Sequence, residues 1–176
     1  MDVIANRIRL HYIESGSGYP VICIPGNGLS TDLWRNLIPQ LSQRYRTLAY
    51  ELRGMQRSEA PGRPGVTFTN EDHARDLVAF LDALNIDRAA IVAHAFGGFV
   101  AMRAAIDHPE RLSSLAIANP SAKVEGPSRV ASAGWSSTVE AQGMEPLVDA
   151  AMTRWFLEEV HRERPEVIQL YREMYT

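Results

Sequence analysis

IVAHAFGGFV, Ile91 to Val100, joins a short apolar run (Ala89 to Val92) to a pair of glycines and an alanine-rich segment. A strand, a sharp turn and a helix in that order can hold a nucleophile at the tip of the turn. The flanking residues must then be small, because the backbone there is strained and the neighbouring chain is close. Ala93, Ala95, Gly97 and Gly98 have the required sizes. The tip itself is Ala95, which carries no hydroxyl. Close packing alone would also select a strand, two glycines and a helix, so this stretch leaves both readings open.

Working outward, strands alternate with helices. RIRLHYIES alternates apolar and polar residues and ends in GSGYP, the pattern of a strand and a turn. VICIPG is continuously apolar, as a strand covered on both faces should be. Ser30 or Thr31 can cap a helix in which Trp34, Leu37, Ile38 and Leu41 share one face. TLAYEL predicts the next strand, and RGMQRSEAPGRPG a Gly/Pro-rich loop. Thr69 and Asp72 have capping-box spacing ahead of the stripe Leu77, Phe80, Leu81 and Leu84. The strand AAIVAHA, a helix from Phe96 to about His108 and the strand LSSLAIAN follow. This alternation predicts an α/β fold, a mostly parallel doubly wound sheet with helices on both faces.

After Pro120 the texture changes. SAKVEGPSRVASAGWSST has little periodicity, and nothing beyond Asn119 reads as a strand. GMEPLVDAAMTRWFLEEV places Met144, Leu147, Val148, Ala151 and Trp155 on one helical face, and PEVIQLYREMYT begins another helix.

Composition excludes several classes. With 45% hydrophobic and 22% charged residues the chain is an ordinary globular sequence, and its 176 residues suit one domain. A net charge of −3 argues against a nucleic-acid or anionic-membrane partner. The N-terminus lacks a basic region followed by a long apolar stretch, so neither a signal peptide nor a membrane span is expected. Cys23, the single cysteine, lies inside an apolar run and reads as a buried strand residue. With no disulfide possible within the chain, a reducing, cytoplasmic location is the expectation.

A second feature bears on chemistry. PGNG, Pro25 to Gly28, can expose backbone N–H groups toward a developing oxyanion. Five stretches in order then resemble the α/β-hydrolase superfamily, and within it the 3-oxoadipate enol-lactonase and small-ester hydrolase branch. GNGLSTDLW is similar to the branch's oxyanion loop and first helix. YELRGMQRSEAP is similar to a family stretch written D-x-R-G-x-G-x-S, AHAFGG stands where the family has G-x-S-x-G-G, and HPERLSSLAIANPSAK is similar to the next strand and its exit. The segment from Gly143 to Met174 resembles the start of the helical cap over a lactone pocket.

The resemblance implies a hydrolase core over residues 1–120, a cap beginning over 121–176, and C-terminal core strands outside this chain. It implies acyl transfer by a serine at position 95, with the oxyanion held by the N–H groups of Asn27 and Phe96 and flanked by Gly26 and Gly28. Trp155 and Phe156 are expected in the cap, with at least one lining the substrate cavity. The expected partner is a small ester or lactone, and no metal or organic cofactor is needed. The acidic and histidine triad members are expected downstream. His94 sits where the family often has a non-catalytic histidine, and His11, His73, His108 and His161 read as surface or helix-end residues. Ser30, Ser58 and Ser121 lie at no elbow.

The departures are specific. Ala95 replaces the nucleophile, Pro25-Gly26 the common His-Gly, Glu51 an Asp, Gln56 a loop Gly and Ala93 the first elbow Gly. Ala95 admits three readings: an engineered Ser-to-Ala replacement, a natural non-catalytic relative that binds a small molecule or a partner, or a subunit or fragment whose chemistry is completed elsewhere. A sheet ending at LAIAN is expected to need a C-terminal piece of the same protein, or a second copy, to cover its far edge.

Overall fold

The computed structural model describes residues 1–62, 68–119 and 137–175. Six strands form one sheet: β1 Asp2–Ala5, β2 Ile8–Ser15, β3 Pro20–Ile24, β4 Arg46–Tyr50, β5 Ala89–His94 and β6 Leu112–Ala118, in the order β1-β2-β4-β3-β5-β6. The pairs β1–β2 and β2–β4 are antiparallel, and β4–β3, β3–β5 and β5–β6 are parallel. The helices are α1 Ile38–Leu41, α2 Asn70–Ala83, α3 Phe96–Asp107, α4 Glu145–Trp155, α5 Glu158–Glu163 and α6 Pro165–Glu173, with 3₁₀ turns at Thr31–Trp34 and Pro109–Arg111.

Side chains alternate across the parallel strands and are buried on both sides. Ile22, Ile24, Leu48, Tyr50, Ile91 and Ala93 join Leu77, Phe80 and Leu81 of α2 and Val100, Ala101 and Ala104 of α3 in one core. Cys23 and Ala49, one residue out of phase, join Trp34 and Ile38 in a second core, with Val92 packed against it. The sheet is therefore doubly wound, as its continuous apolar strands predict. The capping box is present: Thr69 Oγ1 accepts from the Asp72 N–H, and the Asp72 carboxylate accepts from the Thr69 N–H.

The structure differs from the sequence reading in three places. The single helix expected from Ser30 to Leu41 is divided, with Ser30 capping the 3₁₀ turn and α1 following after a break. Pro39 gives the reason: in a continuous helix its ring would clash with the carbonyl of Arg35. Strand β1, which the sequence reading lacks, pairs Ala5 with Ile8 across the two-residue turn Asn6-Arg7. Both turn residues have positive φ, 49° and 66°. Asn tolerates that conformation, whereas Arg gives no signal for it.

The third difference lies in the stripe of α4. Val148 and Met152 are buried, while Met144 and Trp155 are 39% and 47% exposed. The buried line is set by α6, whose Ile168 completes that cluster.

Contacts divide the chain into two compact units, Met1–Ser121 and Ala122–Thr176. Within the second, Phe156 meets Tyr171 edge-on at 5.0 Å between ring centroids, and Trp155 leans on Tyr175 at 5.6 Å. Among the described residues no strand follows β6, and no helix is long and apolar enough to cross a membrane. The aperiodic stretch read over Ser121–Thr138 falls almost wholly outside the described residues, as does part of the Gly/Pro-rich loop.

Candidate active site

The turn between β5 and α3 is built to hold one residue out of ordinary backbone space. Ala95 has φ 46° and ψ −112°. For an L residue such a conformation costs about 1–3 kcal/mol and persists only where the surroundings impose it. Here the Ala95 N–H donates to the Ala118 carbonyl at 3.0 Å, and the Gly98 N–H donates to the Ala95 carbonyl at 2.9 Å. The glycines answer to close packing. A Cβ on Gly97 would lie 2.6 Å from the carbonyl oxygens of both Ile24 and Pro25, and one on Gly98 would lie 2.6 Å from Ile117 Cγ2. Packing thus accounts for Gly97 and Gly98 without any chemistry. It does not account for the strained backbone of Ala95.

The loop after β3 faces this turn. A Cβ on Gly26 would lie 3.4 Å from the Ala95 Cβ and 2.9 Å from His94 Nδ1, so any larger residue there would have to displace the His94 ring. The Gly26 carbonyl accepts from the Leu29 N–H at 3.2 Å, which closes a turn over Asn27 and Gly28. Asn27 is exposed at its tip. Phe96 is the first residue of α3, so its N–H lies among the four that a helix leaves without an internal partner, at the positive end of the helix dipole. Gly28 is turned elsewhere: its N–H points at Met55 Sδ, 3.4 Å away, and its carbonyl accepts from Gln56 Nε2 at 2.9 Å.

The loop after β4 departs from the family pattern and is nevertheless fully tied down. The Glu51 carboxylate is buried and accepts from the Arg57 N–H at 2.8 Å, the Thr31 N–H at 3.4 Å and the Arg57 guanidinium. Gln56 keeps the left-handed backbone, φ 47°, that a glycine would adopt at that position. Ser58 is structural: its hydroxyl donates to the Glu51 carbonyl at 2.6 Å and accepts from the His11 N–H at 3.0 Å. Arg53 and Asp76 form a buried two-pronged ion pair, Asn6 Nδ2 donates to the same carboxylate at 2.8 Å, and the guanidinium lies 5.2 Å from the Phe68 ring centre. Sequence reasoning missed this pair. The available signal was Asp76 itself, an acid four residues before Phe80 on the apolar side of α2.

His73 corrects a further expectation. It is no surface residue: 4% exposed, its ring meets Phe96 edge-on at 5.3 Å and Phe68 at 6.4 Å. Burial holds its imidazole below the ordinary value; the Arg53 charge adds to this and Asp76 opposes it. His94 is half-buried and held low for the same reason, desolvation. His11 pairs with Asp2 and His108 with Glu110, while His161 Nε2 lies 3.2 Å from the Met152 carbonyl. Burial pushes the Cys23 thiol up to about 12, so it is inert as a nucleophile. Among the described residues no three His, Cys, Asp or Glu side chains gather as a metal site. The described contacts of Trp155 and Phe156 are the packing contacts of the second unit given above.

Known proteins share this architecture. The chain is 34% identical over 119 residues to 2-hydroxymuconate semialdehyde hydrolase of Pseudomonas sp. (strain CF600), covering 66% of this chain and 41% of that protein. It is 29% identical over 167 residues to 3-oxoadipate enol-lactonase 2 of Acinetobacter baylyi, covering 94% of this chain and 61% of the relative. The crystal structure of the enol-lactonase from Burkholderia xenovorans LB400 superposes with a TM-score of 0.88 at 27% identity, over 99% of this chain and 67% of that one. The chain thus spans less than two thirds of the length of these curated relatives. The profile of the alpha/beta hydrolase fold matches residues 19–146, and with the doubly wound sheet and the strained turn at Ala95 it establishes that this chain belongs to the α/β-hydrolase family.

Proposed function

We propose that the whole protein is built as a carboxylic ester or lactone hydrolase of the enol-lactonase type, and that Ala95 silences it in this form. The observation that carries this reading is the backbone of Ala95. An alanine gains nothing from φ 46° and ψ −112°, yet the turn holds it at the N-terminus of α3, with its Cβ toward Gly26. On this reading a serine hydroxyl at position 95 would stand beside the N–H groups of Phe96 and of Asn27. The length of the likeness supports the lactonase branch: it runs over 167 residues with the enol-lactonase but stops at 119 with the semialdehyde hydrolase.

In the serine form, Oγ would attack the ester or lactone carbonyl while a histidine–acid pair from the rest of the protein takes its proton. The Asn27 and Phe96 N–H groups would hold the oxyanion until it collapses and breaks the ester C–O bond, the leaving oxygen taking the proton back from the histidine; water would then attack the acyl-serine, releasing the acid and returning the proton to Oγ. Without the attacking oxygen, an oxyanion hole and binding alone leave roughly 10³–10⁴-fold over water. The proposal includes further protein, a C-terminal piece of the same product or a second copy, beyond the outer strand β6.

Ala95 itself favours a second reading, a natural family member that binds a small molecule or a partner without turnover. One experiment separates the two. Ala95→Ser in the full-length protein is expected to hydrolyse 4-nitrophenyl acetate or an enol lactone well above the Ala95 parent. If both hydrolyse equally slowly, the enzyme reading falls and the binding reading takes its place.

A further inference from the structure

We infer that Gln56 is a positioning residue for the oxyanion loop, acting through Gly28; the inference rests on the hydrolase reading above. Gly28 is bonded at both of its polar groups to one short turn. Its N–H is directed at Met55 Sδ, 3.4 Å away, and its carbonyl accepts from Gln56 Nε2 at 2.9 Å. Gly28 directly follows Asn27 and has φ 72°, so without a Cβ it is the freest joint in the loop. The Gly26–Leu29 hydrogen bond closes the base of that loop, and Gln56 and Met55 restrain its outer side.

The turn that carries them is itself rigid. Met55 N–H donates to the Leu52 carbonyl and Ser58 N–H to the Met55 carbonyl, each at 3.0 Å. Its two flanks are anchored by the Glu51–Arg57 pair, whose carboxylate is buried and whose guanidinium is half exposed, and by the buried Arg53–Asp76 pair. Position 56 also carries its side chain against the local interest of the backbone. A φ of 47° favours glycine, so glutamine there costs fold stability. An exposed hydrogen bond returns little of that cost. What the side chain does supply is a fixed carbonyl one residue from the Asn27 N–H, and a small displacement of such a group is enough to weaken catalysis.

The test uses Gln56→Gly and Gln56→Glu. Glycine relieves the strained φ and removes the donor, while glutamate keeps the size and can only accept a hydrogen bond. In the Ala95 protein, amide hydrogen exchange at Asn27, Gly28 and Leu29 is expected to quicken about tenfold in both variants, with the Gln56→Gly melting temperature unchanged or raised. In the full-length Ala95→Ser protein, kcat on 4-nitrophenyl acetate is expected to fall about tenfold in both, with KM held within about twofold. A merely structural role would lower the melting temperature and leave the ratio of kcat to KM effects unspecific.

Parental exchange rates in both variants overturn the clamp, whatever the catalytic result. Faster exchange with unchanged kcat overturns its role in positioning. A silent Ala95→Ser protein overturns the hydrolase reading and the catalytic role with it, an outcome that the exchange data keep distinct from failure of the clamp.

Discussion

The turn at Ala95 and the loop Glu51–Ser58 flank the same loop, Gly26 to Leu29, and are held by opposite means. The first is held by exclusion: small residues let backbones touch, and carbonyl oxygens stand where any Cβ at Gly97 would go. The second is held by polar bonds from Glu51, Arg53, Arg57 and Ser58. Both contain a non-glycine residue at positive φ, Ala95 and Gln56. The difference explains where departures from the family pattern can settle. A longer acid in the loop is accommodated because its carboxylate still finds Thr31 and Arg57. At the turn, Ala93 adds a methyl group where the family has glycine and is buried, whereas Gly97 leaves no room for even that much.

The comparison breaks first at its most buried charge. Arg53→Ala leaves the Asp76 carboxylate in the core without its cation, with Asn6 as its remaining side-chain hydrogen bond. Losing one partner of a buried pair costs about 3–5 kcal/mol. Urea denaturation of the purified protein should show that loss, and a cost below that of an ordinary surface ion pair would mean that polar bonds do not hold the loop.

Next comes the turn. Gly97→Ala drives a methyl group into two backbone carbonyls that cannot rotate away, and overpacking of this kind costs about 1–3 kcal/mol or more. The midpoint of denaturation should fall accordingly. An unchanged midpoint would show that the turn has slack, and the contrast with the loop would dissolve.

The smallest effect belongs to His73, where the two regions meet, its ring against Phe96 of the turn and within the field of Arg53 and Asp76 of the loop side. Its folded-state value lies below the ordinary 6.5. The unfolded chain therefore binds the proton first, and stability is lost as pH falls below about 6.5. His73→Phe should flatten that part of the stability–pH curve relative to the parent. An identical slope in both proteins would remove His73 as its source.

Much of this was legible in the residues. Period-two alternation with continuous apolar strands predicts a sheet covered on both faces, because a strand can bury every side chain only that way. Thr69 and Asp72 announced the start of α2, since a cap satisfies its orphan N–H groups locally. The turn at Ala95 and the loop Pro25 to Gly28 were readable for the same reason: each depends on small residues at fixed, short spacing. What stayed hidden were contacts between distant positions. Arg53 and Asp76 are 23 residues apart, and Gln56 and Gly28 are 28 apart. No local periodicity encodes such pairs. His73 looked like a polar residue near a helix start, and only the approach of Phe96 and Phe68 made it a core residue. Arg7 in a left-handed turn was equally silent, because pairing of β1 with β2 imposes a conformation that its own preferences oppose.

By itself the sequence determined the class of fold, the alternation of strands and helices from β2 to β6, the absence of a hydroxyl at position 95 and the candidate donors around it, all matters of residue type and short-range spacing. The tertiary structure alone decided that Ala95 is held in a strained backbone at the head of α3, that Glu51 and Gln56 are absorbed into a tied loop, and which side of α4 is buried. Those outcomes depend on which surfaces meet after the chain has folded, and free energy from contacts far apart in sequence overrides the weak local preferences of single residues.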